Sequence, residues 1–549
     1  MSLLSDILDP SRNHGAMRLI ARPLYSWSLA SGAVPDRLLM LPPDPWAGDA
    51  GKGRWITNRT IDDNGHQTML DAGVWNRNTV TADKRQCTLV HGFEWLADLK
   101  ALGGDASRRL GRQLMQEWMA SNMRWQEGAW DNAITARRIA AWLMGYEFFC
   151  ASGDDAFLRS FFDSLTRQLR HLDRVHPEKN LGTDALRIIR ALVYGGLCLE
   201  GAENRLAAGL NWLEHWLHDE IDSEGMHISR SPRELVDIAH ILIDIRGALV
   251  RGGLAAPTSL QSAIDRTMHA IRFFRMPDGR LTCFHTTQED DATRLDTLLR
   301  VSGVRIRKPL SHLEGSGFES LVRERTVLIA DCGTSAPWPY DSCAHASTLA
   351  FEMSVGRDRM IVNCGTHPVD SMWADHLRAT AAHSGLTIDD RNAFEIRADG
   401  HIGRAPHNTT TRRDVVQGGG LMLTMAHDGY APLNGIVHTR RLMLSTDGAV
   451  LEGEDWLVSD APLVKPVNFA IRFHLHPRVQ ASLIQDGQAA LLRLPSGGGW
   501  RFSKKAGELA LETSVYCGTG ATPRKTQQLV LTGVAEQGNT AIGWTFSEE

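Results

Sequence analysis

The hydrophobic rhythm of the chain changes near residue 310, and one layer of secondary structure cannot satisfy both rhythms. From about 85 to 305 the apolar residues recur at helical spacing, as in Phe93, Trp95, Leu96 and Leu99, or Ile139, Ala140, Trp142, Leu143 and Tyr146. This spacing predicts helices over 84–102, 105–120, 132–151, 154–174, 182–200, 203–218, 232–252 and 257–274, separated by short Gly, Asp or Pro breaks. Short connections make neighbouring helices antiparallel, so a strand-free series of helical hairpins predicts a solenoid or a closed (α/α) toroid. After Pro309 the texture is alternation bounded by turn residues, as in TVLIADCG, GLMLTMAHDGY and RRLMLSTDGAVLEGEDWLV, with Asp447-Gly448 as one such turn. These runs predict stacked antiparallel sheets.

Composition narrows the function classes. A chain of 549 residues, 43% hydrophobic and 22% charged, has ample material for two large cores and is not a disordered or collagen-like polymer. With 59 basic against 64 acidic residues it carries a net charge of -5, so it lacks the electrostatic footprint of a nucleic-acid or anionic-membrane binder. No apolar run approaches the roughly 20 residues needed to span a bilayer, since even RIAAWLMGYEFFC contains Arg138 and Glu147. The first residues, MSLLSDILDPSRNHGAMRLIARPLYSWSLASG, are interrupted by polar groups where a secretory signal needs an unbroken apolar core. The eight cysteines form no CxxC pair. Together these features predict a cytoplasmic protein without membrane insertion, partner nucleic acid or nucleotide cofactor, and they leave the oligomeric state open.

The densest polar constellation lies between 343 and 390. His345 precedes one strand, Asn363 closes the next and His383 opens a third. Hairpin-linked strands can bring two imidazoles and an amide oxygen onto one face, a set suited to Zn²⁺ or Ca²⁺, although satisfied core and turn residues read the same way. Elsewhere, His227, Arg230 and Glu234 cluster where Ser229 or Ser231 can cap a helix and Pro232 fits its first position. Arg230 there is suited to clamp a carboxylate bidentately, or to pair on the surface.

The stretch AHASTLAFEMSVGRDRMIVNCG, followed by WADHLRATAAHSGLTIDD and AHDGYAPLNGIVHTRRLMLSTDGAVLEGEDWL, resembles the sheet domain of the heparinase II/III-like polysaccharide lyases. The resemblance is strongest over 340–520 and has an echo in GMHISRSPREL. It implies an α+β multidomain fold, an (α/α) toroid joined to an antiparallel β-sandwich; with the change of rhythm this places the toroid over 81–308 and the sandwich over 309–549, and residues 1–80, rich in Trp, Asn and Asp, read as an irregular lead-in packing on the helices. It also implies β-elimination on a uronic-acid polysaccharide, in which the sugar carboxylate is neutralised before a base removes the C5 proton and a Tyr or His protonates the leaving oxygen.

The departures from the family pattern are specific. Cys343 stands where the family places its catalytic sheet His, and the family's Tyr after the Ser-Pro step aligns near Glu234. The toroid's Asn-His step is represented loosely by Asn180. His345, Asn363 and His383 match the metal-ligand positions, with Asn363 where the family has Asp.

The predicted site therefore assigns His227, Arg230 and Tyr430 to catalysis. It assigns Glu234, His427, His438 and Trp130 to substrate binding, and a divalent cation, Zn²⁺ or Ca²⁺, to His345, Asn363 and His383. Tyr430 follows His427 in AHDGY, and His438 precedes Arg440 in HTRR; both segments also read as half-buried sheet. Sixteen Trp against six Tyr suggest stacking platforms for sugar rings at Trp75, Trp125, Trp130 and Trp142, or a tryptophan-rich core. Arg137 and Arg138 are candidates for attracting acidic glycan, or for a solvated helix face. His474 and His476 alternate on a strand, as metal ligands or as sheet polar residues. The leading expectation is a lyase acting on an acidic poly- or oligosaccharide. The alternative is a catalytically degenerate glycan-binding or envelope-polysaccharide accessory protein. Third comes a hydrolase using carboxylates such as Asp222 and Glu234.

Overall fold

The computed structural model describes residues 16–75, 83–177 and 182–549. The chain divides into two compact units, Met1–Asp219 with Ile238–Ala263, and Glu220–Asp237 with Ile264–Glu549. Residues 308 and 309, where the rhythm predicts a boundary, both lie in the second unit.

The first unit is built on helices at the predicted positions, including Gly104–Asn122, Asn132–Phe149, Asp155–Leu172, Gly182–Cys198 and Glu203–Glu220. Asp131 and Asp154 cap two of them by accepting first-turn amides, which would otherwise lack partners. The helix predicted over 84–102 is two, Lys84–His91 and Leu96–Leu102, because Phe93 between them takes a left-handed backbone with φ 60°. The lead-in is more regular than expected. It holds the helices Ala16–Ala30 and Ala50–Thr57 and a hairpin pairing Thr60–Asp63 with His66–Met69. A side chain at Gly53 would stand 2.4 Å from the Asp98 carbonyl, so the glycine lets Ala50–Thr57 press against Leu96–Leu102.

The tryptophans singled out as stacking platforms, Trp75, Trp125, Trp130 and Trp142, are core, whereas Trp27 and Trp55 of the same unit are exposed. Trp118 and Trp142 meet edge-to-face with centroids 5.6 Å apart, and Phe93 packs edge-on against both. Arg138 is buried beneath them, 4.0 Å from the Trp118 ring, and donates to Gln168, to the His91 and Ala129 carbonyls and to Thr135. Arg137 pairs with Glu94 at 2.6 Å. Neither arginine is a free cation on a solvated face.

The second unit carries three antiparallel sheets. An eight-stranded sheet runs, in order, through Gln480–Ile484, Ala489–Arg493, Gly499–Lys504, Thr540–Glu548, Val450–Val458, Ile436–Leu444, Leu421–Tyr430 and Thr409–Val415. A four-stranded sheet orders Glu508–Tyr516, Arg524–Ala535, Val467–His474 and Leu386–Ile388. A five-stranded sheet orders His312–Leu313, Phe318–Arg323, Thr326–Asp331, Phe351–Val355 and Asp358–Ile361. One apolar core joins all three, with Leu328, Phe351, Leu423, Ile471, Phe473, Trp544 and Phe546 among its members. Along Leu421–Tyr430 burial alternates, as expected of a strand with one face in the core. Phe351–Val355 and Asp358–Ile361 are buried on both faces. Their polar residues, Glu352, Ser354, Asp358 and Arg359, therefore enter the interior and need partners there.

Candidate functional site

The second unit contains the segment 220–231, which begins as a tight turn. Asp222 accepts the amides of Glu224 and Met226 at 2.9 and 2.8 Å. Gly225, with φ 89°, lies so close to Arg266 that a side chain would meet its backbone carbon at 2.2 Å. The turn returns the chain to pair Ile221 with His227. His227 is buried, with Nε2 2.8 Å from Glu220 Oε2 and Nδ1 2.7 Å from Ser229 Oγ. The half-buried Tyr340 ring stands edge-on to it, centroids 5.4 Å apart.

Arg230 has φ 60°, a left-handed conformation that is uncommon outside glycine, and its side chain runs inward rather than toward a ligand. Nε donates to the Ser316 carbonyl at 2.7 Å, Nη1 to the Thr334 carbonyl and Nη2 to Asp331 Oδ1 at 2.5 Å. The guanidinium lies 4.8 Å from the Phe318 ring centroid. All three donor nitrogens of Arg230 are thus engaged within the protein.

Asp331, at the end of a sheet strand, gathers this network. Besides Arg230 it accepts Ser347 Oγ at 2.6 Å and the Gly333 amide at 3.2 Å, and His285 Nε2 lies 3.1 Å from its second oxygen. Burial alone would raise its carboxyl, but Arg230 and His285 hold it far below the usual carboxylate range. His285 has the opposite balance: burial outweighs Asp331 and pushes the imidazole down, so it stays neutral. Neither Asp331 nor His285 sits in a recognisable local pattern.

The three predicted metal ligands come together, but through hydrogen bonds. His345 Nδ1 and His383 Nε2 are 3.0 Å apart. His345 Nε2 accepts the Thr286 amide at 2.9 Å, so its one proton sits on Nδ1 and points at His383. His383 Nδ1 donates to the Ala379 carbonyl at 2.8 Å, which leaves Nε2 to accept. Asn363 Oδ1 accepts the Ser384 amide at 3.4 Å, while its buried Nδ2 has no hydrogen-bond partner. Burial pushes His345 well down and His383 to about 4. In this arrangement His345 has no lone pair to offer, and the third donor is a neutral amide. Among the described residues no three His, Cys, Asp or Glu side chains form a metal-holding group. The trio as placed does not fit a cation.

The sheet candidates lie in the core. Tyr430 is fully buried and donates its hydroxyl to the Leu386 carbonyl at 2.7 Å; burial pushes its pKa above its usual value. His427 and His438 form a second internal chain. The Gly429 amide donates to His427 Nδ1 at 3.0 Å, so His427 Nε2 donates to His438 Nδ1 at 3.3 Å, and His438 Nε2 donates to Asp455 at 2.7 Å. Asp455 also accepts Arg440 Nε at 2.7 Å and Trp544 Nε1 at 2.9 Å. His474 bonds Ser514 and the Ala381 carbonyl, while His476 lies 3.5 Å from Glu289.

Cys343 and Glu234 are the positions at which the sequence reading expects a departure from the lyase pattern. Burial and the nearby Glu234 charge push the Cys343 thiol up, so it is protonated near neutrality and a poor base. The Glu234 amide is capped by Ser231 Oγ at 3.4 Å. In the first unit, Trp130 is buried and donates to the Asn122 carbonyl at 3.0 Å. Trp75, Trp125 and Trp142 are also buried. Asn180 lies outside the described residues.

Comparison with known proteins agrees with this architecture. Residues 305–545 match the family described as heparinase II/III-like, C-terminal. A solved heparinase III superposes with a TM-score of 0.72 at 13% identity, covering 97% of this chain and 89% of that one. A mutant of the heparan sulfate lyase from Pedobacter heparinus gives 0.66 at 14% identity, with the same coverages. These likenesses fix the fold as helices followed by antiparallel sheets, an (α/α) toroid with a β-sandwich. FtsZ-localized protein C of Caulobacter vibrioides is 30% identical over 533 residues, covering 94% of this chain and 91% of that protein. The chain belongs to the heparinase II/III-like family, in one lineage with FtsZ-localized protein C.

Proposed function

We propose that this protein is a catalytically degenerate envelope-polysaccharide accessory protein that associates with FtsZ and binds without eliminating. One observation carries the reading: all three Arg230 nitrogens are engaged by Ser316, Thr334 and Asp331, and His285 is buried with Nε2 3.1 Å from the same carboxylate, so neither the cation nor the imidazole faces a uronate. β-Elimination needs a neutraliser for the sugar carboxylate and a base for a weak carbon acid, both preorganised and accessible. Here the position expected to supply the base is a protonated thiol, and the position expected to supply Tyr is Glu234. The FtsZ partner is carried over from the name of a relative that matches almost end to end. No step is routed through a metal.

The experiment has two arms on the full chain. Incubation with heparan, alginate, hyaluronan and bacterial exopolysaccharides should produce no near-ultraviolet absorbance from an unsaturated uronate. Co-sedimentation with FtsZ polymers should retain the protein in the pellet. Loss of co-sedimentation removes the partner, and appearance of the chromophore removes the degenerate reading.

A second reading is an active lyase on an acidic, uronate-containing poly- or oligosaccharide. Its specific support is the half-buried Tyr340, a phenol whose ring stands edge-on to His227. Replacement of Tyr340 by Phe should abolish any chromophore this pair forms, without altering the fold.

A further inference from the structure

Three arginines of the second unit meet at one polar pocket, and two of them have no carboxylate partner among the described residues. A pocket of about 330 Å³ is walled by Arg272, Arg275 and Arg357, with Asp278 and Asp296 completing its charged lining. Three local structures position these groups. Arg272 lies in the last turn of the helix Thr258–Phe274. Met276-Pro277-Asp278-Gly279 forms a turn closed by the Gly279 amide on the Met276 carbonyl at 2.9 Å, with φ 90° at the glycine. Arg357 sits in the turn between Phe351–Val355 and Asp358–Ile361, where Gly356 has φ 54°.

Both carboxylates already have partners. Asp278 is held by the buried Arg359 through two bonds, at 2.7 and 3.2 Å. Asp296 accepts Arg275 Nη2 at 2.5 Å, and Arg275 is further fixed by the Gly279 carbonyl at 2.7 Å. Arg272 bonds only the Arg275 carbonyl, at 3.2 Å, and Arg357 has no ion pair, among the described residues. Burial, together with the neighbouring Arg275, lowers the Arg272 pKa, as expected of guanidiniums crowded without a counter-ion. Two positive charges therefore face the pocket uncompensated. Ala292, the first residue of the helix Ala292–Ser302, lies on the same wall, and that helix end is already capped by Asp291, which accepts the Thr293 amide at 2.9 Å, so the two guanidiniums supply the pocket's free charge.

We infer that this pocket is an oxyanion site for a dianionic phosphate, either inorganic phosphate or the phosphomonoester of a small polar molecule. The reasoning is charge and size. A carboxylate or a phosphodiester neutralises one of the two free guanidiniums, whereas a phosphate dianion neutralises both and accepts the forked donors of each. The volume exceeds that of a bare phosphate and reaches the lower range of small-molecule sites, and the lining suits a polyol or sugar body. No residue of the pocket belongs to the Arg230–Asp331–His285 network.

The test is calorimetric titration of the full chain with inorganic phosphate, glycerol 3-phosphate and glucose 1-phosphate at constant ionic strength, with acetate as the monoanion control. The expected result is one saturable site for at least one dianion, no competition by acetate, and at least a tenfold weaker affinity in Arg357→Gln. Tighter binding of a monoester than of inorganic phosphate identifies the esterified source; equal affinity identifies the free ion. Arg272→Gln, with circular dichroism to verify folding, gives an independent second variant. Absence of a saturable site, equal displacement by acetate, or unchanged affinity in both folded variants overturns the inference.

Discussion

Two arginine-rich regions of the second unit differ in how their charges are used. Around Asp331, the Arg230 guanidinium is matched by a carboxylate and two carbonyls, and the adjoining histidines are neutral and hydrogen-bonded. Around Gly279, Arg272 and Arg357 face a pocket without carboxylate partners among the described residues. Residue type is the same in both, but only the second has charge left for a ligand. A buried network that satisfies itself stabilises one arrangement of the core, whereas unpaired cations in a polar pocket are poised to bind.

The comparison breaks most visibly at Asp331. Asp331→Ala leaves Arg230 buried without its counter-ion, and equilibrium urea unfolding should record a loss of about 3–5 kcal/mol. A loss under about 1 kcal/mol would mean that the network is not a structural keystone.

Acid should act next. Burial holds folded His383 at about 4 and His474 at about 3, whereas an unfolded histidine protonates near 6.5. For groups with a depressed pKa of this kind, stability is full above 6.5 and falls as pH drops toward 4, by about 3 kcal/mol for His383 if it acts alone. Urea midpoints measured between pH 7 and 4 should decline steadily, and His383→Gln should flatten the slope.

Smaller effects sharpen the contrast. Tyr430→Phe strands the Leu386 carbonyl and should cost about 1–2 kcal/mol without changing polysaccharide binding, because the hydroxyl is a core donor. Arg357→Gln should change stability by no more than about 0.5 kcal/mol while weakening phosphate binding, the reverse of the Asp331 result.

Much of the fold was legible because helices and strands leave local periodic signals. The spacing of Ile139, Trp142, Leu143 and Tyr146 gave the helix Asn132–Phe149, and alternation gave Leu421–Tyr430. Ala50–Thr57 was not legible, since its two glycines weaken the helical pattern and its place is set by contact with Leu96–Leu102. The site was legible in membership rather than in role. His345, Asn363 and His383 do meet, but which nitrogen carries the proton depends on Thr286 and Ala379. Arg230 is engaged by Asp331, a residue 101 positions away, and no local pattern announces that pairing. The pocket arginines are similarly scattered, from Arg272 to Arg357.

On the proposed reading the protein holds glycan or partner without β-elimination. Prolonged incubation of the intact chain with a panel of uronate polysaccharides, followed at the wavelength where a C4=C5 double bond absorbs, tests it most directly. A flat trace alongside demonstrable polysaccharide binding is the predicted result; an absorbance that rises in proportion to protein concentration would contradict it.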